Sequence, residues 1–212
     1  KAIGFDQKNP YHIYDVFEHT LKVVENTPKN IYLRLAALFH DTGKPFCFTQ
    51  GEDGVGHFLG HELVSEEIFK KFAERCKMDK KTKNLVTRLI HYHERTLSLK
   101  PTKITRFLQE FGTENLDLYF RLKEADIKGQ NPEFLSRLEE VKNQEEKYQE
   151  KIKEGTCLRI KDLKINGKVL LEKGFYKEQI GFILKDIFEK VSNDQIPNTK
   201  ESIDSYIERH YK

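Results

Sequence analysis

Eight histidines, at positions 12, 19, 40, 57, 61, 91, 93 and 210, are the residues of this 212-residue chain best suited to chemistry, and seven of them fall within the first 93 positions. Imidazole moves protons near neutrality and is a common ligand for divalent metals. The sharpest arrangement is His40-Asp41, which ends the apolar run Leu35-Ala36-Ala37-Leu38-Phe39 and precedes Thr42-Gly43-Lys44-Pro45. A polar pair closing such a run must be hydrogen-bonded, ion-paired or bound to metal, because an isolated buried charge is costly. His19 lies beside the stripe Val16, Phe17, Leu21 and Val24, so it is a candidate to face inward. Asp126 stands in the same position relative to Leu118 and Leu122. His57 and His61 are four residues apart, but Gly54, Gly56 and Gly60 favour a loop there, and the two are separate candidates. His91 and His93 point about 200° apart on a helix, so only one of them can belong to a given site.

The elements that must position these residues are helical. Periodicity predicts helices over about 15–24, 31–39, 62–76, 83–94, 103–111 and 114–128. The 31–39 segment is apolar nearly all round and reads as a central, buried helix. Thr102 is a candidate cap for 103–111, and Pro132 is expected to open a long polar helix to about 153. After Gly155 the texture changes, with Asn166-Gly167 a turn signal, a helix over about 175–191, and Asn198-Thr199 capping a last one over 200–210. The expected fold is all-α, with a first domain over 1–155 and a small helical C-terminal tail over 156–212.

Composition narrows the class. The chain has 37 basic and 34 acidic residues, so its +3 charge does not mark a nucleic-acid binder by itself. Fifteen Phe and nine Tyr are too much aromatic surface for a disordered chain, and no run approaches the roughly 18 apolar residues a membrane span needs. Cys47, Cys76 and Cys157 form no CxxC pair, and no secretory signal is evident, so a reducing, cytoplasmic setting is expected. The basic run Lys70, Lys71, Arg75, Lys77, Lys80, Lys81 and Lys83, with Glu74 and Asp79 between, could follow an RNA backbone or could be a solvated helix face.

In order along the chain, His19, His40-Asp41, His61, His93 and Asp126 resemble the ligand pattern of the HD superfamily of metal-dependent phosphohydrolases. More narrowly, the segments YDVFEHTL, LRLAALFHDTGKP, HFLGHE, RLIHYHE and KEADIKGQNP look like the HD region of bacterial CCA-adding enzymes and their poly(A) polymerase relatives. The stretch DLKINGKVLLEKGFYKEQIGFIL is similar to the C-terminal RNA-side segment of those enzymes.

The resemblance implies that His19, His40, Asp41 and Asp126 hold one metal and that His61 and His93 hold a second, with Asp41 able to bridge. Tyr92-His93-Glu94 matches the family pattern better than His91 does. One or two divalent ions are expected, with identity open among Mn, Fe, Ni, Co, Zn and Mg. Imidazole with carboxylate suits such ions, and no zinc-type cysteine spacing lies nearby. Asp41 and Lys44 are the expected catalytic residues, Lys44 neutralising a phosphate oxygen unless it is merely a solvated lysine after a helix stop. Lys70, Lys71, Arg75, Lys80 and Lys81 are the candidate RNA contacts. His12 and His210 read as bystanders.

The nucleotidyltransferase signature is absent, so nucleotide addition is not expected from these residues alone. Val169 stands where the family has Asp, and no Pro-Gly precedes Ile180. Together with a start at Lys1 rather than Met, this reads as the HD-containing portion of a longer polypeptide with a transferase domain ahead of it. Three functions follow: an HD phosphohydrolase acting on phosphomonoesters or cyclic nucleotide phosphates, a metal-bound scaffold within a tRNA-binding body, or a stand-alone nucleotidase or cyclic-nucleotide phosphodiesterase.

Overall fold

The Asp15 carboxylate accepts a bond from the Glu18 N–H at 2.7 Å and starts helix α1, Val16–Asn26. This is the usual service of an Asp N-cap to the unpaired donors of a first turn. In the computed structural model, which describes residues 1–212, α2 (Ile31–Phe39) follows, capped by Asn30, and then a short α3 (Lys44–Cys47). A two-residue hairpin, β1 (Thr49–Gln50) and β2 (Gly56–His57), pairs antiparallel with Thr49 opposite His57. The remaining helices are α4 (His61–Arg75), α5 (Lys80–Tyr92), α6 (Pro101–Phe111), α7 (Leu116–Lys128), α8 (Arg137–Lys153), α9 (Gly167–Glu172), α10 (Lys177–Ser192) and α11 (Lys200–His210). The protein is all-α apart from that hairpin, as the periodicity predicts, and no helix is long and apolar enough to cross a membrane.

The chain forms two compact units, residues 1–96 with 114–145 and residues 97–113 with 146–212. They do not follow the sequence boundary at 155. The apolar face of α6 (Ile104, Phe107, Leu108, Phe111) buries within the second unit, and that separates 97–113 from its chain neighbours.

In the first unit, α2 contacts α1, α4, α5 and α7 and is central by its neighbours. It is not buried all round. Leu33, Ala36 and Ala37 are buried while Ile31 and Leu38 are exposed. On α1 the inward stripe is Val16, His19, Thr20 and Val23, and the expected Phe17 and Leu21 face outward. The stripe that packs is the one carrying the polar residues. On α5 the expected Leu85, Val86, Leu89 and Ile90 are all buried.

The second unit has its own core of Leu163, Ile165, Leu170, Phe175, Ile183, Ile187, Ile203 and Ile207. The Asp186 carboxylate accepts hydroxyl bonds from Tyr206 and Tyr211, both at 2.8 Å. Several starts differ from expectation. Lys100-Pro101 begins α6, so Thr102 is not its cap, and a 3-10 turn at Pro132–Phe134 precedes α8. The short α9, capped by Asn166, fills what reads as a turn.

Candidate metal centre

Helix ends place the site. His40 caps the C-terminus of α2 and His93 that of α5, His61 opens α4, His19 sits mid-α1 and Asp126 is in the last turn of α7. Gly43 lets the turn after Asp41 lie against α4, and its N–H donates to Ser65 Oγ at 2.8 Å. A Cβ on Gly43 would collide with the His61 carbonyl oxygen and lie 2.8 Å from Ser65 N. Gly129 also packs on α1, where an added Cβ would lie 2.8 Å from Val23 Cγ2, and its carbonyl faces His19.

Each of the four histidines has one ring nitrogen held by a backbone carbonyl. The Nδ1 atoms of His19, His40, His61 and His93 lie 3.0, 2.7, 2.8 and 2.7 Å from the carbonyl oxygens of Gly129, Ala37, Phe58 and Ile90. A carbonyl only accepts, so Nδ1 carries the proton and each neutral ring turns an Nε2 lone pair inward. Those lone pairs converge. His19 Nε2 is 3.3 Å from His40 Nε2, and His61 Nε2 is 3.2 Å from His93 Nε2.

Asp41 stands between the two pairs, with Oδ2 at 3.3 and 3.2 Å from the Nε2 atoms of His19 and His40. Its Oδ1 lies 3.2 and 3.7 Å from those of His61 and His93. Asp126 Oδ1 approaches His19 at 3.0 Å and His40 at 3.7 Å. The four histidines and Asp41 are buried, whereas the Asp126 side chain is 22% exposed and marks the open side. Asp41 Oδ2 and Asp126 Oδ1 have short nitrogen neighbours yet accept no well-directed hydrogen bond.

Inward-facing lone pairs and orphaned carboxylate oxygens repel one another unless protons or a cation lie among them. The electrostatics agree. Burial opposes a charged His40, but Asp41 and Asp126 outweigh it and push its pKa up to about 10. Burial likewise opposes charge on His19 and His61, and their carboxylate neighbours raise both. Burial would raise Asp41, but His40 and Lys44 hold it well below the usual carboxylate range, and the His19 and His40 contacts do the same for Asp126. His93 is lowered, by burial first, although Asp41 opposes this. The donor set fits divalent metal: His19, His40 and Asp41 form one group of ligand atoms and Asp41, His61 and His93 another, each within 4.8 Å. The backbone carbonyls that orient the rings are the outer partners such ligands require.

Lys44 is buried rather than solvated. Its Nζ lies 2.7 Å from Asp41 Oδ2, 2.8 Å from Gln7 Oε1 and 3.4 Å from His12 Nε2. His57 is exposed on β2, and His91 turns outward to bond Glu66 at 2.7 Å. His210 is exposed on α11. Lys70, on α4, is held by Glu66 and Glu67 at 2.6 and 3.1 Å, while Lys71, Arg75, Lys80 and Lys81 are exposed near the α4–α5 turn.

His12 is not the bystander it looks to be in sequence. It packs edge-on against His19 with ring centroids 4.8 Å apart, and burial with Lys44 beside it lowers its pKa to about 3. Nothing in its spacing gives this away. Lys123 is also at the site, its Nζ donating to the His93 carbonyl at 3.1 Å, with burial lowering its pKa. Its place one turn before Asp126 on α7 is a signal that could have found it.

An all-α bundle that gathers histidines and aspartates from its helix ends around one buried point defines a histidine–aspartate metal-site domain. The HD domain family model matches residues 11–162, well over half the chain, and the chain belongs to that family. It is 30% identical over 150 residues to a CC-adding tRNA nucleotidyltransferase of Thermus thermophilus, covering 66% of this chain and 34% of that protein. It is 29% identical over 104 residues to an A-adding tRNA nucleotidyltransferase of Deinococcus radiodurans, covering 46% and 24%. A bifunctional uridylyltransferase/uridylyl-removing enzyme of Methylococcus capsulatus is 28% identical over 162 residues, covering 62% and 17%. The chain thus spans about a third or less of the length of these relatives.

Proposed function

We propose that this chain is the metal-dependent phosphohydrolase module of a tRNA nucleotidyltransferase-like protein, hydrolysing phosphomonoesters or cyclic nucleotide phosphates, including those at RNA ends. The observation that carries the reading is the convergence of four carbonyl-oriented Nε2 atoms on the two oxygens of Asp41. His19, His40, Asp41 and Asp126 would hold one ion, and Asp41, His61 and His93 a second. A divalent ion there supplies Lewis-acid polarisation of the phosphate and acidifies water for attack. Asp41 links the two halves of the site. Lys44, with its three partners, acts through Asp41 as a positioning residue, and meeting a phosphate oxygen directly would require releasing one of them. Substrate would enter on the side of Asp126 and Lys123.

The similarity to two tRNA nucleotidyltransferases supports tRNA or a nucleotide as partner, with a transferase domain elsewhere in the parent protein and a cytoplasmic location. It also supports a second reading, in which the metal centre is a scaffold in a tRNA-binding body and Lys70, Lys71, Arg75, Lys80 and Lys81 touch RNA. The test is hydrolysis of p-nitrophenyl phosphate, AMP and 2′,3′-cyclic AMP with each divalent metal in turn. Metal-dependent turnover lost in His40→Ala is expected. Full metal loading with no turnover of any substrate would favour the scaffold, and turnover indifferent to His40→Ala would remove this site from the chemistry.

A further inference from the structure

Charge is divided unevenly between the two units. Residues 97–113 and 146–212 contain 17 basic and 13 acidic residues, a net +4, whereas the first unit has 20 basic and 21 acidic, a net −1. The metal centre and the positive balance belong to different units.

Within this second unit, α6 and α10 border a groove of about 470 Å³, within the ordinary range for a small-molecule site. Lys103 and Arg106 enter it from successive turns of α6, and Lys185 faces them from α10. Phe188, half-buried against the core, gives the groove an apolar wall, and a Gln109–Ser192 bond of 2.8 Å ties its two sides together. Lys103 and Lys185 are exposed and have no carboxylate within ion-pair distance. Arg106 is paired only along its own helix, with Glu110 at 3.4 Å, and its side chain is 69% exposed. Such an exposed pair is weak and easily exchanged for a better anion. Glu189 is the one acid on the lining.

We propose that this groove is a second binding site, for a phosphorylated nucleoside, with phosphate on Lys103, Arg106 and Lys185 and the nucleoside against Phe188. The chemistry explains each part. Three cations on two facing helices suit an anion with several acceptor oxygens, and Arg adds a planar, bidentate fork. An aromatic wall beside a cationic groove is the pairing by which proteins hold single-stranded nucleic acid. The ligand is therefore either a free nucleotide or one nucleotide of an RNA strand. The site is independent of the hydrolytic reading, because none of its residues touches the metal centre.

The test is calorimetric titration of the full chain with AMP and, separately, with a single-stranded hexa-adenylate, in EDTA so that the metal centre takes no part. At about 50 mM salt at least one probe should bind, with affinity falling as salt rises. Lys185→Ala and Lys103→Ala should each weaken binding about tenfold and lower the salt slope by about 0.7 for the oligomer. Glu189→Gln should tighten it, and all three variants should keep wild-type metal content and hydrolysis. Binding of AMP assigns a free nucleotide, and binding of the oligomer alone assigns an RNA strand. Failure of both probes to bind, or binding untouched by Lys103→Ala and Lys185→Ala, would overturn the proposal.

Discussion

Gly43→Ala is the smallest change that should dismantle the metal centre. Gly43 has φ −79°, which alanine adopts freely, so the cost is one of space alone. The new methyl would strike the His61 carbonyl oxygen and sit 2.8 Å from Ser65 N and 3.0 Å from Ser65 Oγ. Two of these three atoms are backbone and the third accepts the Gly43 N–H, so α4 must move away and that bond must stretch. Overpacking of this kind costs about 1–3 kcal/mol and a weakened buried hydrogen bond about 1 kcal/mol. The stiffer unfolded chain returns about 0.4–1 kcal/mol. The net expectation is a loss of about 2–3 kcal/mol, which lowers the unfolding midpoint by about 5–10 °C in a protein of this size. Because the displaced group is His61, metal uptake should fall with it. The same substitution at Gly181 meets nothing within 4 Å and lies inside α10, so it should stabilise by up to about 1 kcal/mol. Thermal unfolding and metal analysis of both variants check this. Wild-type stability and metal content in Gly43→Ala would refute the close approach of the HD turn to α4.

Asp41→Asn should abolish metal uptake and leave Lys44 buried beside a neutral amide, destabilising the protein by about 3–5 kcal/mol in urea unfolding, whereas Asp41→Asn with Lys44→Met should recover part of that loss. His93→Ala should lose metal and His91→Ala should retain it, since His91 turns toward Glu66. Metal affinity should rise with pH, because ions compete with protons for Nε2 atoms of raised pKa. With EDTA present, the same shifts set the stability profile. The contribution of His40, raised from 6.5 to about 10, is complete below pH 6.5 and fades toward pH 10, while that of Asp41, depressed from 3.8, is present above pH 3.8 and fades as pH falls further. His12, lowered from 6.5 to about 3, and His93, also lowered, destabilise the fold as pH falls below 6.5, so unfolding midpoints in EDTA should peak near pH 6.5, and a maximum above pH 8 would contradict the assignment.

The helices were legible because α5 and α7 carry ordinary apolar periodicity. The buried His/Asp cluster was legible from the order of His19, His40-Asp41, His61, His93 and Asp126 along the chain, which resembles the HD pattern; a polar pair ending an apolar run, as at His40-Asp41, marks by itself only a buried group that needs a partner. Two features were hidden. On α1 the buried stripe contains His19 and Thr20, so hydrophobicity pointed to Phe17 and Leu21, which face outward. His12 and Gln7 reach the site through an irregular N-terminal segment that has no period to read, and they are recognisable from their tertiary contacts, both with Lys44 and His12 also with His19. Residues 97–113 join the second unit through tertiary packing that no local signal records.

Metal content measured by mass spectrometry on purified wild type, His40→Ala, Asp41→Ala and His91→Ala tests the central claim most directly. One or two divalent ions per chain are expected in wild type and His91→Ala, with a loss of metal in His40→Ala and Asp41→Ala. Equal metal content in all four proteins, or none in the wild type after incubation with Mn, Ni, Co or Zn, would contradict it.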